Sequence, residues 1–316
     1  MLRYRVISGI GLIAFGLAVF WVDSRLDTVT LSGFWRDLFP GRESPTPGLV
    51  LLAVAMMVMP MAAWELHRIF RSNQVETTYW LIVTAVLITS VTMYITPMRL
   101  DAKAGMSVIA SVQVGCFVAT LLWLAHRARV EGAVAAAGAT MFAVTYLGLL
   151  SGFYLAMRRS HSAWVIFAVI LVTKSADIGA YAAGKTMGRH KLFPWLSPGK
   201  TWEGLVGGVI LSMVVAAGFA RLSAGDPELT AVYRTVHGDR VKQTTEYDPL
   251  RSAAAGGIVA LVSVVGGMAL SLFKRDAGIK DSGSLFPGMG GVLDVLDTPL
   301  MVAPVAYWML ELAARK

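Results

Sequence analysis

Residues 271–297 read SLFKRDAGIKDSGSLFPGMGGVLDVLD and lie between two apolar runs, so this charged stretch joins two candidate membrane helices. It sets Lys274, Arg275 and Lys280 among Asp276, Asp281, Asp294 and Asp297, with Gly278, Gly283, Gly288, Gly290 and Gly291 between them. Lysine and arginine neutralise phosphate oxygens, aspartates hold hard divalent cations, and glycines let backbone N–H groups come close. A solvated loop whose charges only fix membrane topology is the ordinary reading of such a stretch. The clustering of carboxylates, and a repeat of the theme near residue 200, favour polyphosphate bridged to metal ions.

The rest of the chain is mostly apolar. Hydrophobic residues make up 56% and charged residues 15% of the 316 positions, and the mean hydropathy is +0.62. A soluble domain is typically about a quarter charged, so the composition specifies an integral membrane protein. Each crossing needs roughly 20 apolar residues. Candidate spans are 6–22, 49–65, 80–97, 105–125, 133–157, 162–176, 204–220, 255–272 and 299–312. The expected fold is therefore all-α and polytopic, with about nine transmembrane helices. No stretch reads as a separate soluble domain, so 1–316 is one integral membrane domain, with amino-terminal spans over 1–160 and a catalytic half over 161–316. The amino end, MLRYR before an apolar run, reads as a retained anchor because no small-x-small cleavage site follows.

The net charge of +8 suits anionic headgroups or an anionic substrate better than nucleic acid in such a chain. Cys116 is the sole cysteine and the five histidines are scattered, which argues against disulfides and zinc. Placing the amino end in the cytoplasm divides lysine and arginine evenly between the faces. Discounting the longer loops 23–48 and 221–254 then favours amino end in and carboxyl end out.

The second polar segment, 177–203, is separated from 273–298 by two spans, so both emerge on one membrane face. Asp177 ends an apolar run, where an ionisable group is costly and usually faces a cavity or partner. Ser197-Pro-Gly-Lys200-Thr201 is followed by Glu203; it is not a Walker A loop, because Pro194 stands where the first glycine is needed. A turn of this kind before a helix can still expose N–H groups to phosphate. Arg189, His190 and Lys191 read as a headgroup-level patch, Trp195 and Trp202 as interfacial anchors with base stacking as the alternative. Gly207, Gly208, Gly256, Gly257, Gly266 and Gly267 read as close helix packing.

Residues 271–297 resemble the signature of phosphatidate cytidylyltransferases, also called CDP-diacylglycerol synthases. Ser271, Lys274, Arg275, Lys280, Asp281, Gly283, Pro287, Gly290, Gly291, Asp294 and Asp297 fall on it in register. Asp177 to Tyr181 and Ser197 to Glu203 resemble the family's other polar segment, so the match covers residues 173–299. Met289 stands where the pattern has histidine and Val295 where it has arginine, while Gly267 and Leu270 replace acidic residues of the preceding helix. The resemblance is thus to a divergent member.

The resemblance implies a nucleotidyltransferase that takes CTP and phosphatidic acid to CDP-diacylglycerol and pyrophosphate. It implies Mg²⁺, in a two-metal site, held by Asp281, Asp294, Asp297 and Asp177. Lys274, Arg275, Lys280 and Asp281 would be catalytic, with Ser197, Lys200, Thr201 and Glu203 at substrate. The partners are CTP, phosphatidic acid and membrane lipids, with no nucleic acid, and a homodimer stays open. CTP places both loops on the cytoplasmic face of a bacterial inner membrane. The rival readings are a CTP-dependent transferase for another lipid, such as an isoprenoid-ether lipid phosphate or polyprenol, an anion transporter, and an inactive CDP-lipid-binding relative.

Overall fold

The computed structural model describes residues 2–29, 46–99, 102–128, 130–226, 228–236 and 239–314. Most of the loop 23–48, used above for orientation, lies outside the described residues. The helices are α1 (Leu2–Leu26), α2 (Leu49–Ser72), α3 (Tyr79–Arg99), α4 (Ala102–His126), α5 (Ala133–Ala143), α6 (Leu150–Ser160), α7 (Ala163–Thr186), α8 (Trp202–Leu222), α9 (Pro249–Asp276) and α10 (Val292–Ala314). A π-helical segment, Val144–Leu149, joins α5 to α6 into one crossing. Among the described residues nine helices are long and apolar enough to cross a membrane. The protein is an all-α, polytopic integral membrane protein. Two antiparallel hairpins, β1 (Lys191–Phe193) with β2 (Ser197–Thr201) and β3 (Ala231–Val236) with β4 (Asp239–Thr244), decorate opposite ends.

Every helix outruns the apolar run that announced it. Asp177 lies within α7, and Asp294 and Asp297 lie within the first turns of α10, so the polar connections shrink to 187–201 and 277–291. Hydropathy reports only the hydrocarbon-depth portion, whereas intrahelical hydrogen bonds continue until something caps them. Ser162 Oγ accepts the Trp164 N–H at 3.3 Å, Thr201 Oγ1 that of Gly204 at 3.0 Å, and Asp248 Oδ2 that of Arg251 at 3.0 Å. Each is a side-chain cap at a helix start.

Within lipid, apolar burial does not drive helices together, so close packing by small residues must. The contacts between α7 and α8 run through Ala176, Gly179, Ala180, Ala183, Gly204, Gly207 and Gly208. A Cβ on Gly208 would sit 2.8 Å from the Ala176 carbonyl oxygen, inside any real contact distance. Gly208→Val should therefore force α7 and α8 apart and lower the melting temperature in detergent by several degrees or abolish monodisperse protein. Wild-type thermal stability in the variant would contradict this packing.

One core joins Leu66 and Ile69 of α2, Ile82 and Val86 of α3, Leu147, Leu270 of α9, and Leu293 and Leu300 of α10. Both halves of the chain thus share it. At the end holding the carboxyl terminus, the fully buried Arg158 pairs with Asp23 and with Asp27 (2.6 Å), so its charge is neutralised from α1. The opposite end gathers the start of α1, where Ser8 Oγ donates to the Pro287 carbonyl at 3.0 Å, and the 277–291 connection. That end holds both polar segments, around Lys200 and around Asp294.

Candidate active site

Three helices and one strand bring charge together at this end. Lys174 and Asp177 come from α7, Lys200 from β2, Ser263 and Lys274 from α9, and Asp294, Asp297 and Thr298 from α10. Lys174 Nζ donates to Thr298 Oγ1 at 3.0 Å, and that hydroxyl donates to Asp177 Oδ2 at 3.2 Å. Lys174 also lies 3.5 Å from the same carboxylate oxygen, and Ser263 Oγ donates to Asp177 Oδ1 at 3.4 Å. The Asp177 side chain stays 46% exposed, so a ligand can reach it. Asp297 accepts the Thr298 N–H at 2.7 Å and interacts electrostatically with Lys174, Asp177 and Lys274.

Lys200 enters the cluster from the first hairpin. Its Nζ donates to the Val264 carbonyl at 3.4 Å. A Cβ at position 267 would stand 3.1 Å from that nitrogen and 3.7 Å from Asp297 Oδ2. Gly267 therefore leaves a notch in α9 through which Lys200 approaches Asp297. Burial draws the Lys200 ammonium below the usual lysine range; Asp297 and Asp177 oppose the fall, and Lys274 adds to it. Lys200 is thus a half-buried cation held against two carboxylates, with its charge favoured by them and opposed by burial.

The 277–291 connection is pinned by two carboxylates. Asp294 Oδ2 accepts from Ser282 N (2.8 Å), Ser282 Oγ (2.9 Å) and Gly291 N (2.9 Å), and Oδ1 takes Lys274 Nζ at 2.5 Å. From α2, Glu65 accepts Ser282 Oγ (2.7 Å), Val292 N (2.8 Å) and Leu293 N (2.9 Å). The turn Phe286–Gly290 closes with Met289 N and Gly290 N both donating to the Phe286 carbonyl, at 2.9 and 3.0 Å. Gly290 there has φ +97°, and a side chain would strike Asp294.

The two polar segments thus meet through Lys200, Asp177, Asp297 and Lys274. Arg275, Lys280 and Asp281 are exposed on or beside the second connection, which is tied to Asp294 through the neighbouring Ser282. Ser197 is half-buried and pairs with Phe193 across the hairpin. Thr201 is buried as the cap of α8. Glu203 holds the base of the hairpin, accepting the His190 backbone N–H at 3.2 Å and meeting His190 Nδ1 at 2.7 Å. Glu65, Lys174, Ser263 and Thr298 join the site without having been singled out in the sequence. Glu65 and Lys174 were visible only as lone charges in or beside apolar runs, the pattern that usually marks a buried role.

Among the described residues no group of three or more His, Cys, Asp or Glu is arranged to hold a metal ion. Asp177 and Asp297 nevertheless supply hard oxygen donors whose neighbours are hydroxyls, a backbone N–H and lysines rather than a closed cage. That suits Mg²⁺, which is commonly bound by one or two carboxylates together with substrate phosphates and water. Asp294 is occupied on both oxygens by protein donors.

Fold and site together define a polytopic membrane protein with a cluster of lysines, aspartates and hydroxyls at one end of its bundle. The sequence profile of the cytidylyltransferase family matches residues 45–313, and the chain belongs to that family. It is 38% identical over 144 residues to a phosphatidate cytidylyltransferase of Haemophilus influenzae, covering 46% of this chain and 44% of that one. It is 32% identical over 180 residues to the Bacillus subtilis phosphatidate cytidylyltransferase, covering 55% and 58% of the two chains. An uncharacterized Escherichia coli protein, YnbB, is 35% identical over 166 residues, 48% of this chain and 49% of its own. The chain spans about half the length of the curated relatives it matches.

Proposed function

We propose that this chain is a phosphatidate cytidylyltransferase that transfers CMP from CTP to phosphatidic acid, at the cytoplasmic face of a bacterial inner membrane. The carrying observation is the junction at which Lys200 of one polar segment reaches Asp297 of the other through the Gly267 notch, with Asp177 and Lys174 open beside it. The similarity to phosphatidate cytidylyltransferases of Haemophilus influenzae and Bacillus subtilis supports the same substrates.

In this reading an oxygen of the lipid phosphate attacks the α-phosphorus of CTP. The new P–O bond forms as the bond to the β-phosphate oxygen breaks, and pyrophosphate leaves with that electron pair. The nucleophile is already anionic, so no strong general base is needed. What the protein must supply is alignment and charge neutralisation between repelling anions. Lys200 and Lys174 hold phosphate oxygens on either side of the Asp177–Asp297 pair. Lys280, Arg275 and Ser197 line the approach of the triphosphate from solvent. Lys274, bound to Asp294, fixes the start of α10 instead of carrying a free charge. Asp177 and Asp297 would hold Mg²⁺, with Asp281 on the second connection as a further oxygen donor, and bound Mg²⁺ would neutralise charge on the reacting phosphates. The acyl chains stay in the bilayer.

Purified full-length protein in detergent with Mg²⁺, phosphatidate and α-labelled CTP tests the proposal. Labelled CDP-diacylglycerol, with one pyrophosphate per turnover, is the expected result; an unlabelled lipid fraction would overturn it. In the same assay Lys200→Ala should raise KM for CTP or lipid by about tenfold, the worth of one charge-assisted hydrogen bond of roughly 1.5 kcal/mol. An unchanged KM for both would remove Lys200 from substrate.

A further inference from the structure

We propose that Glu65, on the second membrane helix, is a positioning residue that sets the catalytic geometry of the far-removed 277–297 segment. The inference rests on the functional reading above and extends it to a residue outside both polar segments.

Glu65 is 7% exposed, at the end of the apolar run of α2 and just before His67 and Arg68. A carboxylate there needs compensation, and it finds three donors in one place: Ser282 Oγ, Val292 N and Leu293 N, all within 2.9 Å. Two of these are free N–H groups in the first turn of α10, where backbone donors lack intrahelical partners. Glu65 thus caps α10 from another helix. The carboxylate fills the space beside two glycines, since a Cβ on Gly283 would stand 2.6 Å from Glu65 Oε1, and one on Gly291 would be closer still.

The link to the chemistry runs through Ser282. Its single hydroxyl proton faces Glu65 Oε2 at 2.7 Å and Asp294 Oδ2 at 2.9 Å, and its own N–H goes to Asp294. Asp281 precedes it directly. Glu65 therefore fixes the axial position and rotation of α10, which carries Asp294 and Asp297, together with the backbone that carries Lys280 and Asp281. A purely space-filling role would need no charge. Three convergent donors make the charge the point of contact.

The test compares E65Q, E65D and E65A in the full-length protein in detergent. E65Q keeps volume but turns an NH2 group toward at least one of the three donors. The expected result is hydrogen exchange accelerated at least tenfold within 277–297 and little elsewhere, with kcat per folded molecule down tenfold or more. The melting temperature of E65Q should stay within a few degrees of wild type, and E65D should retain more activity than E65A. Two results would overturn the inference: unchanged exchange in 277–297 in E65Q, or faster exchange with kcat within twofold of wild type. Failure of E65A to fold leaves E65Q and E65D to decide. If wild-type protein transfers no CMP, the functional reading falls by itself. The inference is then judged on exchange and on CTP protection of 277–297, and it fails if E65Q matches wild type in both.

Discussion

Asp297→Asn is expected to reduce cytidylyl transfer by about two to three orders of magnitude, the usual scale for removing one preorganised charge at a transition state. The position explains the size. Asp297 lies where Lys174, Lys274 and the incoming Lys200 converge, so its charge balances theirs and leaves an oxygen for a cation. An asparagine keeps the shape and the bond to Thr298 N but supplies no charge. The lysines would then bind the substrate phosphates as ground-state anions without the opposing carboxylate that positions a metal ion. The loss should fall on kcat, with KM for CTP held or lowered, and initial rates with α-labelled CTP measure both. A variant retaining more than a tenth of wild-type kcat would remove Asp297 from the reaction.

Asp294→Asn is expected to act differently, through the protein and not through substrate. Asp294 accepts three hydrogen bonds on one oxygen and the Lys274 ammonium on the other, with side-chain exposures of 7% and 13% for the pair. Asparagine must turn its NH2 group toward either the lysine or the three donors. Either choice leaves a poorly compensated buried charge or orphaned donors, at a cost of about 3–5 kcal/mol for breaking a buried pair. The 277–291 connection should detach from α10, with faster proteolysis after Lys280 and loss of turnover together. K274M combined with D294N should recover part of the stability, since the unpaired ammonium is gone, while turnover stays low. Additive destabilisation in the double variant would show that the pair is not coupled.

The membrane architecture was legible because each crossing is a long apolar run, and hydropathy reads that directly. The ends of the helices were not, because backbone hydrogen bonding carries α7 past Asp177 and starts α10 before Asp294. The motif residues Asp177, Lys200 and Asp297 were legible as polar groups that have no business beside apolar spans. The roles of Thr201 and Glu203 were open to a local reading, since a threonine at the start of an apolar run is a helix cap by preference. Glu65 was hidden for a different reason. Its partners lie 217 to 228 residues away, and nothing in the run MMVMPMAAWELHRIF tells which segment folds onto it. Lys174 was likewise counted only as topological charge, and its bond to Thr298 depends on how α7 and α10 are packed.

Every role assigned above depends on the segments around Lys200 and Asp297 closing over one pocket, and thiol cross-linking tests that directly. With Cys116→Ser removing the sole native thiol, the pair K200C and G267C should be bridged by a short bifunctional reagent, and CTP with Mg²⁺ should slow the reaction. A pair across the α7–α8 contact, S175C with S212C, serves as the positive control, because the two hydroxyl oxygens they replace lie 3.3 Å apart. Efficient bridging of the control with none between positions 200 and 267, or bridging indifferent to CTP, would contradict the account.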